Sequence, residues 1–454
     1  MDMQLLRRAA PAAESRAVRE RVPDFILPVY VPSVALLFAF QGLFADSAWL
    51  LYALAGAAAV AVSALCVWRG RLLRTADSLL LLFFPLFTWV SAVLNCGLST
   101  AFFFSWFFIV WAVLLSLYFA LRITSTPERL MSLYAGASVL GLSLVCLFVL
   151  LTATASLFPM IPGQNTVRGC FQLGRLCGLS NANIFAFSCT ALCLLSMYLF
   201  LRSAGRRRLI WVLSGFAGWF CLGLTNCRTG IIGVGFALGV LVFSVLAAKQ
   251  GRFRVLRAAV IAAAAAVVCM QSLYLPPVLY RGVLSCYGSL TRSTNLLHNL
   301  NALRVRRIID DDGTVLDRVM IWKRVLAALG KTPLRTWLGV SSLYSDGVGG
   351  VYEGHHEISI LHAHNSYLEI LQRFGVLGLA LLLASALRWG AAGLRCLTSS
   401  GETSAARCLA ACAAAVALMG LAEQPPFPCS PVCSLSLPFF AICGYLMNDR
   451  RPSP

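Results

Sequence analysis

The feature that most restricts this chain is a succession of apolar runs, each about as long as a bilayer is thick. A helix crossing the hydrocarbon core needs about 20 predominantly apolar residues. Runs of that kind lie near residues 25–45, 47–68, 78–96, 99–121, 131–157, 181–201, 208–225, 229–248, 257–275, 374–394, 405–422 and 432–448. The expected fold is therefore an all-α polytopic membrane protein with about twelve transmembrane helices. Composition points the same way: 59% of the 454 residues are hydrophobic and 12% are charged. Soluble domains carry about 25% charged residues. The mean hydropathy is +0.79.

Lys and Arg outnumber Asp and Glu by 37 to 18. In a soluble protein that excess would suggest a nucleic-acid partner. Here the cations fall in short connections between apolar runs, so the excess reports topology and argues against nucleic acid. Arg69/Arg71/Arg74, Arg122/Arg129, Arg202/Arg206/Arg207/Arg208, Lys249/Arg252/Arg254/Arg257, Arg388/Arg395/Arg407 and Arg450/Arg451 all share the side of the basic tail 1–24. The alternate short connections, near Asp46, Asn95–Ser99 and Glu423–Cys433, hold no Lys or Arg. The positive-inside rule then puts both termini, 1–24 and 449–454, in the cytoplasm of a multi-pass inner-membrane protein. The basic start lacks a short apolar run with a small-residue cleavage site, so it reads as a retained tail.

Most of the 17 cysteines, including Cys66, Cys146, Cys189, Cys193, Cys269 and Cys412, sit inside apolar runs and read as small hydrophobes. Cys170 with Cys177, and Cys429 with Cys433, lie in connections and could pair on an oxidising side.

One long hydrophilic stretch, 276–373, separates spans 25–275 from spans 374–448. It is the expected extracytoplasmic loop, with Pro276-Pro277 ending the helix before it. Short helices are expected inside it. One runs from Asp317 as N-cap through Arg318-Val-Met-Ile-Trp322 to Gly330. The spans themselves are nearly devoid of ionisable residues, whereas ion-coupled transporters bury such groups near the midplane. Chemistry is therefore expected at the outer interface.

The segment His362-Ala-His364-Asn-Ser-Tyr367 delivers titratable side chains to that surface, just before the apolar run Phe374-Gly-Val-Leu-Gly378. His364 suits general-base work near neutral pH, against a purely structural histidine. His355, His356, His362 and His364 could also supply metal ligands, but no carboxylate or cysteine with zinc spacing accompanies them. Arg228, in Thr225-Asn-Cys-Arg-Thr-Gly230, lies between two apolar runs with no room for a loop. It reads either as a snorkelling cation or as an anion clamp at a helix N-terminus, with Gly230 permitting close approach. Arg318 shares a helical face with Trp322, and reads as a second phosphate clamp or a surface charge.

These residues, in this order around one long loop, resemble the O-antigen ligase and polymerase superfamily of membrane glycosyltransferases. The likeness rests on Thr225-Asn-Cys-Arg228-Thr-Gly, on Arg318-x-x-x-Trp322 with Trp337-Leu-Gly339-Val, and on His364-Asn-Ser-Tyr-Leu with Phe374-Gly-Val-Leu-Gly378. It covers roughly residues 180–390. Cys227 replaces a frequent serine, and the stretch His355–Ser359 is atypical. The resemblance implies metal-independent, cofactor-free, inverting transfer of a glycan from a polyprenyl-diphosphate carrier to a glycan, lipid or cell-wall acceptor. Arg228 and Arg318 would bind the diphosphate and His364 would orient or deprotonate the acceptor, with Asn365, Tyr367, Trp322 and Gly230 in support. A lipid-linked oligosaccharide flippase and a non-catalytic membrane scaffold are the competing readings.

Overall fold

The computed structural model of the chain describes residues 25–40, 49–68, six positions between 81 and 94, 106–156, 171–172, 175–178, 181–248, 254–291, 315–330, 333–339, 363–423, 427 and 434–448. Apart from one antiparallel pair of two-residue strands, β1 (Phe171–Gln172) and β2 (Arg175–Leu176), its regular structure is helical. The helices are α1 (Phe25–Ala39), α2 (Trp49–Trp68), α3 (Trp106–Ile123), α4 (Pro127–Ser156), α5 (Ala182–Arg202), α6 (Arg207–Thr225) and α7 (Arg228–Ala247). They continue with α8 (Arg254–Ser272), α9 (Leu275–Leu290), α10 (Val315–Leu329), α11 (Pro333–Leu338), α12 (Ser366–Thr398), α13 (Ser404–Met419) and α14 (Ser436–Leu446).

Among the described residues six helical stretches are long and apolar enough to cross a membrane, and five shorter apolar helices accompany them. The molecule is a helical membrane protein. Its centre is α5, whose apolar window is 67% buried, whereas the stretch Val255–Leu290 is only 17% buried and lies at the edge. The aromatic core is built by α3, α12 and α14, where Trp111, Trp389 and Phe440 meet edge-on. Small residues on α7 let its neighbours come close, with Gly235 and Gly239 facing α8 and Gly233 facing Met419 of α13. Such small-residue contacts are how helices associate in lipid, where no hydrophobic force separates helix from tail.

Two local expectations are corrected. The helix before Pro276-Pro277 does end, at Ser272, but after a turn at Leu273–Tyr274 the two prolines occupy the first turn of a further helix, α9. A proline there lacks only an N–H that no helix would use. The helical stretch thus runs on to Leu290. The second concerns Asp317, which lies inside α10, since that helix starts at Val315.

Helix α12 also does not pass smoothly into its apolar half. It breaks at Gly375, which has φ 64° and ψ −168°, a conformation close to glycine-only. Helix α11 seats against that break: a Cβ at Gly375 would fall on the Trp337 carbonyl, and one at Gly339 (φ 76°) would fall on the Arg373–Phe374 peptide. The two glycines of the Trp337-Leu-Gly and Phe374-Gly motifs therefore meet backbone to backbone. Gly375→Ala is expected to lower unfolding stability by at least about 2 kcal/mol from backbone strain alone. Thermal unfolding in detergent micelles measures this, and an unchanged midpoint would remove the contact.

Candidate functional site

Five helix ends converge at one end of the bundle: the starts of α5, α7 and α12 and the ends of α6 and α13. The opposite end holds the basic connections. There Arg202 pairs with Glu128 at 2.5 Å, and Arg407, in the first turn of α13, donates through Nη1 to the Ser244 carbonyl at 2.8 Å.

His364 sits where the chain enters α12. Asn365 caps that helix, its side-chain oxygen accepting from the Tyr367 and Leu368 amides at 3.0 Å each, while its Nδ2 donates to the Leu421 carbonyl at 3.0 Å. Ser366 locks the helix start to the turn after α13, its amide donating to the Gly420 and Glu423 carbonyls at 2.7 and 3.0 Å. Ala363 is held from both sides, its amide by buried Glu369 at 2.6 Å and its carbonyl by Trp322 Nε1 at 2.9 Å. Glu369 is fixed in turn by its buried pair with Arg373. Between these anchors His364 adopts a left-handed backbone, φ 49°, uncommon outside glycine but one that asparagine, aspartate and histidine adopt more often than other residues. Its side chain remains 39% exposed.

The centre of the cluster is a residue that the sequence reading did not single out. Glu423, its side chain 4% exposed, takes Arg318 Nη2 at 2.9 Å and Asn183 Nδ2 at 3.4 Å on Oε1, and faces His364 Nδ1 at 3.4 Å with Oε2. Arg318 Nη1 also donates to the Ala422 carbonyl at 2.7 Å. A guanidinium has five N–H donors, so three remain beyond these two contacts among the described residues. Arg175, on β2, bonds the Asn183 side chain at 2.7 Å and the Thr225 carbonyl at 2.8 Å. It thereby ties the cluster to the α6–α7 turn. Arg175 and Asn183 too were missed as site residues. The available signal for Glu423 was a lone carboxylate in a connection otherwise free of charge.

That turn consists of Asn226, in the left-handed conformation that ends α6, and Cys227, the N-cap of α7. Arg228 follows as the first residue of α7. It is exposed and, among the described residues, has no hydrogen-bond or ion-pair partner. No side chain caps the N-terminus of α7, whose positive dipole end therefore adds to the guanidinium. Gly230 serves helix packing: a Cβ there would crowd Thr190 Oγ1 at 2.8 Å and Leu222 at 2.9 Å. Tyr367 is likewise committed to packing, its hydroxyl donating to the Ala417 carbonyl at 2.9 Å.

Residues 213–383 match the family model described as O-antigen ligase. Over this segment the chain is similar to the O-antigen ligase family. The matched segment includes Arg228, Arg318 and His364, whereas Arg175, Asn183 and Glu423 lie outside it. No curated protein matches the chain. His355, His356 and His362, the basic stretch Arg304–Arg307, and Cys170, Cys429 and Cys433 lie outside the described residues.

Cys227 is buried beside this cluster. Burial foremost, then the Glu423 charge, pushes its thiol up from 9.0 to about 11. A raised thiol value means that the protonated form is favoured in the folded state. Its contribution to stability is full below about 9 and is lost as pH rises through about 11. At neutral pH Cys227 is a buried thiol and not a nucleophile. Cys227→Ser is expected to keep wild-type activity. Loss of turnover in a folded Ser variant would give the thiol a role that this environment does not support.

Proposed function

We propose that the protein transfers or polymerises a glycan from a polyprenyl-diphosphate carrier at the outer face of the cytoplasmic membrane, in surface polysaccharide biosynthesis. The observation that carries this reading is the meeting of His364 and Arg318 on one carboxylate, tied through Arg175 to the turn that bears Arg228. In the proposed topology the chain crosses the membrane about twelve times with both termini cytoplasmic, by the positive-inside rule. The cluster then faces outward, opposite the basic connections.

In the proposed step the acceptor hydroxyl attacks the anomeric carbon from the face opposite the diphosphate. Its proton passes to His364, the bond from the anomeric carbon to the diphosphate oxygen breaks, and the configuration inverts. Negative charge grows on the leaving diphosphate. Arg228, the amide end of α7 and the remaining N–H groups of Arg318 are the donors available to hold it. The step needs no metal or other cofactor, since guanidinium groups supply the charge stabilisation.

The test is the surface-glycan profile of host cells with the wild-type gene or a deletion, run beside the extracted lipid-linked fraction. Collapse to single repeat units in the deletion identifies a polymerase. Full-length glycan stranded on the carrier identifies a ligase. Identical profiles in the two strains would return the flippase and scaffold readings to the front.

A further inference from the structure

We infer that Glu423 is a positioning residue of the site, setting the tautomer of His364 while it holds the Arg318 fork. The inference rests on the transferase reading above and adds a residue to it. Glu423 closes the turn after α13 and is buried against groups from three other parts of the fold. Its two oxygens are divided between them. Oε1 accepts from Arg318 of α10 at 2.9 Å and from Asn183 of α5 at 3.4 Å. Oε2 faces His364 Nδ1 at 3.4 Å, a spacing longer than a typical hydrogen bond, of the kind that tightens when substrate binds.

An ionised carboxylate is acceptor-only. Facing Nδ1, it favours the tautomer that carries the proton there, which leaves Nε2 with its lone pair to take the proton of the acceptor hydroxyl. The same charge stabilises the imidazolium that forms. Because the carboxylate is buried and its other oxygen is pinned by Arg318, it cannot follow the ring, so the ring must come to it. A single side chain thus aligns base and clamp.

Glu423→Gln separates this role from bulk stability. The amide oxygen can accept from Arg318 and Asn183, which can only donate there. The amide N–H2 then faces Nδ1, which must accept, and the imidazole proton moves to Nε2. The expected result with purified protein, lipid-linked donor and acceptor is a fall in kcat of about 10²-fold, with little change in KM for the donor. Glu423→Asp keeps two acceptor oxygens and recovers part of the turnover. In a His364→Asn background Glu423→Gln costs nothing further, because the group it acts through is gone.

Wild-type kcat in Glu423→Gln, or a loss that multiplies with that of His364→Asn, overturns the inference and leaves the transferase reading standing. Wild-type turnover by His364→Asn itself takes down both. If the Gln variant does not elute as a folded species, the Asp variant carries the same cycle against His364→Asn.

Discussion

Replacing His364 is expected to cripple the proposed glycan transfer without unfolding the protein. The expected loss is about 10²- to 10⁴-fold, the usual contribution of a positioned general base. The choice of substitute matters because His364 has φ 49°. Alanine is strained in that conformation, by about 1–2 kcal/mol. Asparagine tolerates it and has no basic nitrogen. His364→Asn is therefore the cleaner variant, expected to match the wild type in thermal unfolding while losing turnover. Transfer assayed with purified protein and lipid-linked donor decides it. Activity within tenfold of wild type would falsify the base assignment, and the neighbouring anchors Ala363 and Asn365 would then be holding a residue of structural use only.

The second large effect is expected from Arg228→Lys. The charge is kept, yet an ammonium cannot present two parallel N–H groups to a phosphate. Removing one well-placed donor from a developing anion costs about 10²- to 10³-fold in kcat. Since Arg228 is exposed and without a partner among the described residues, the substitution leaves stability unchanged. That combination distinguishes it from Arg318, whose removal strips the buried Glu423 of its cation. Breaking a buried pair by deleting one partner costs about 3–5 kcal/mol. Full turnover in Arg228→Lys would make Arg228 a snorkelling cation.

How much of the site was legible in sequence varies residue by residue. Arg228, Arg318 and His364 each stand within a local pattern: a cation in a junction too short for a loop, a cation one helical turn from a tryptophan, a histidine at the edge of an apolar run. Trp322 fits its spacing with Arg318, because both side chains reach the same end of the bundle, Arg318 to Glu423 and Trp322 to Ala363. Glu423 has no such pattern. It lies 59 residues from His364 and 105 from Arg318, and its neighbours in sequence carry no charge. Nothing in the sequence context of Arg175 tells that it joins α5 to the α6–α7 turn.

The glycine motifs show the same division. Trp337-Leu-Gly339 and Phe374-Gly375 were readable as features of a family, without a reason for the glycines. The reason is a backbone contact between two segments 36 residues apart in number, each at positive φ.

The sequence by itself determined the helical character of the fold, the gathering of most cations in the short connections on one side, and the three residues on which the chemistry is proposed to rest. Those follow from local rules, namely the thickness of hydrocarbon and the cost of placing charge in it. Only the tertiary structure decided which carboxylate stands between Arg318 and His364, where α12 breaks, and that Pro276-Pro277 begins a helix. A buried charge takes whatever partner the packing of distant helices brings to it, and that packing is written in no local pattern.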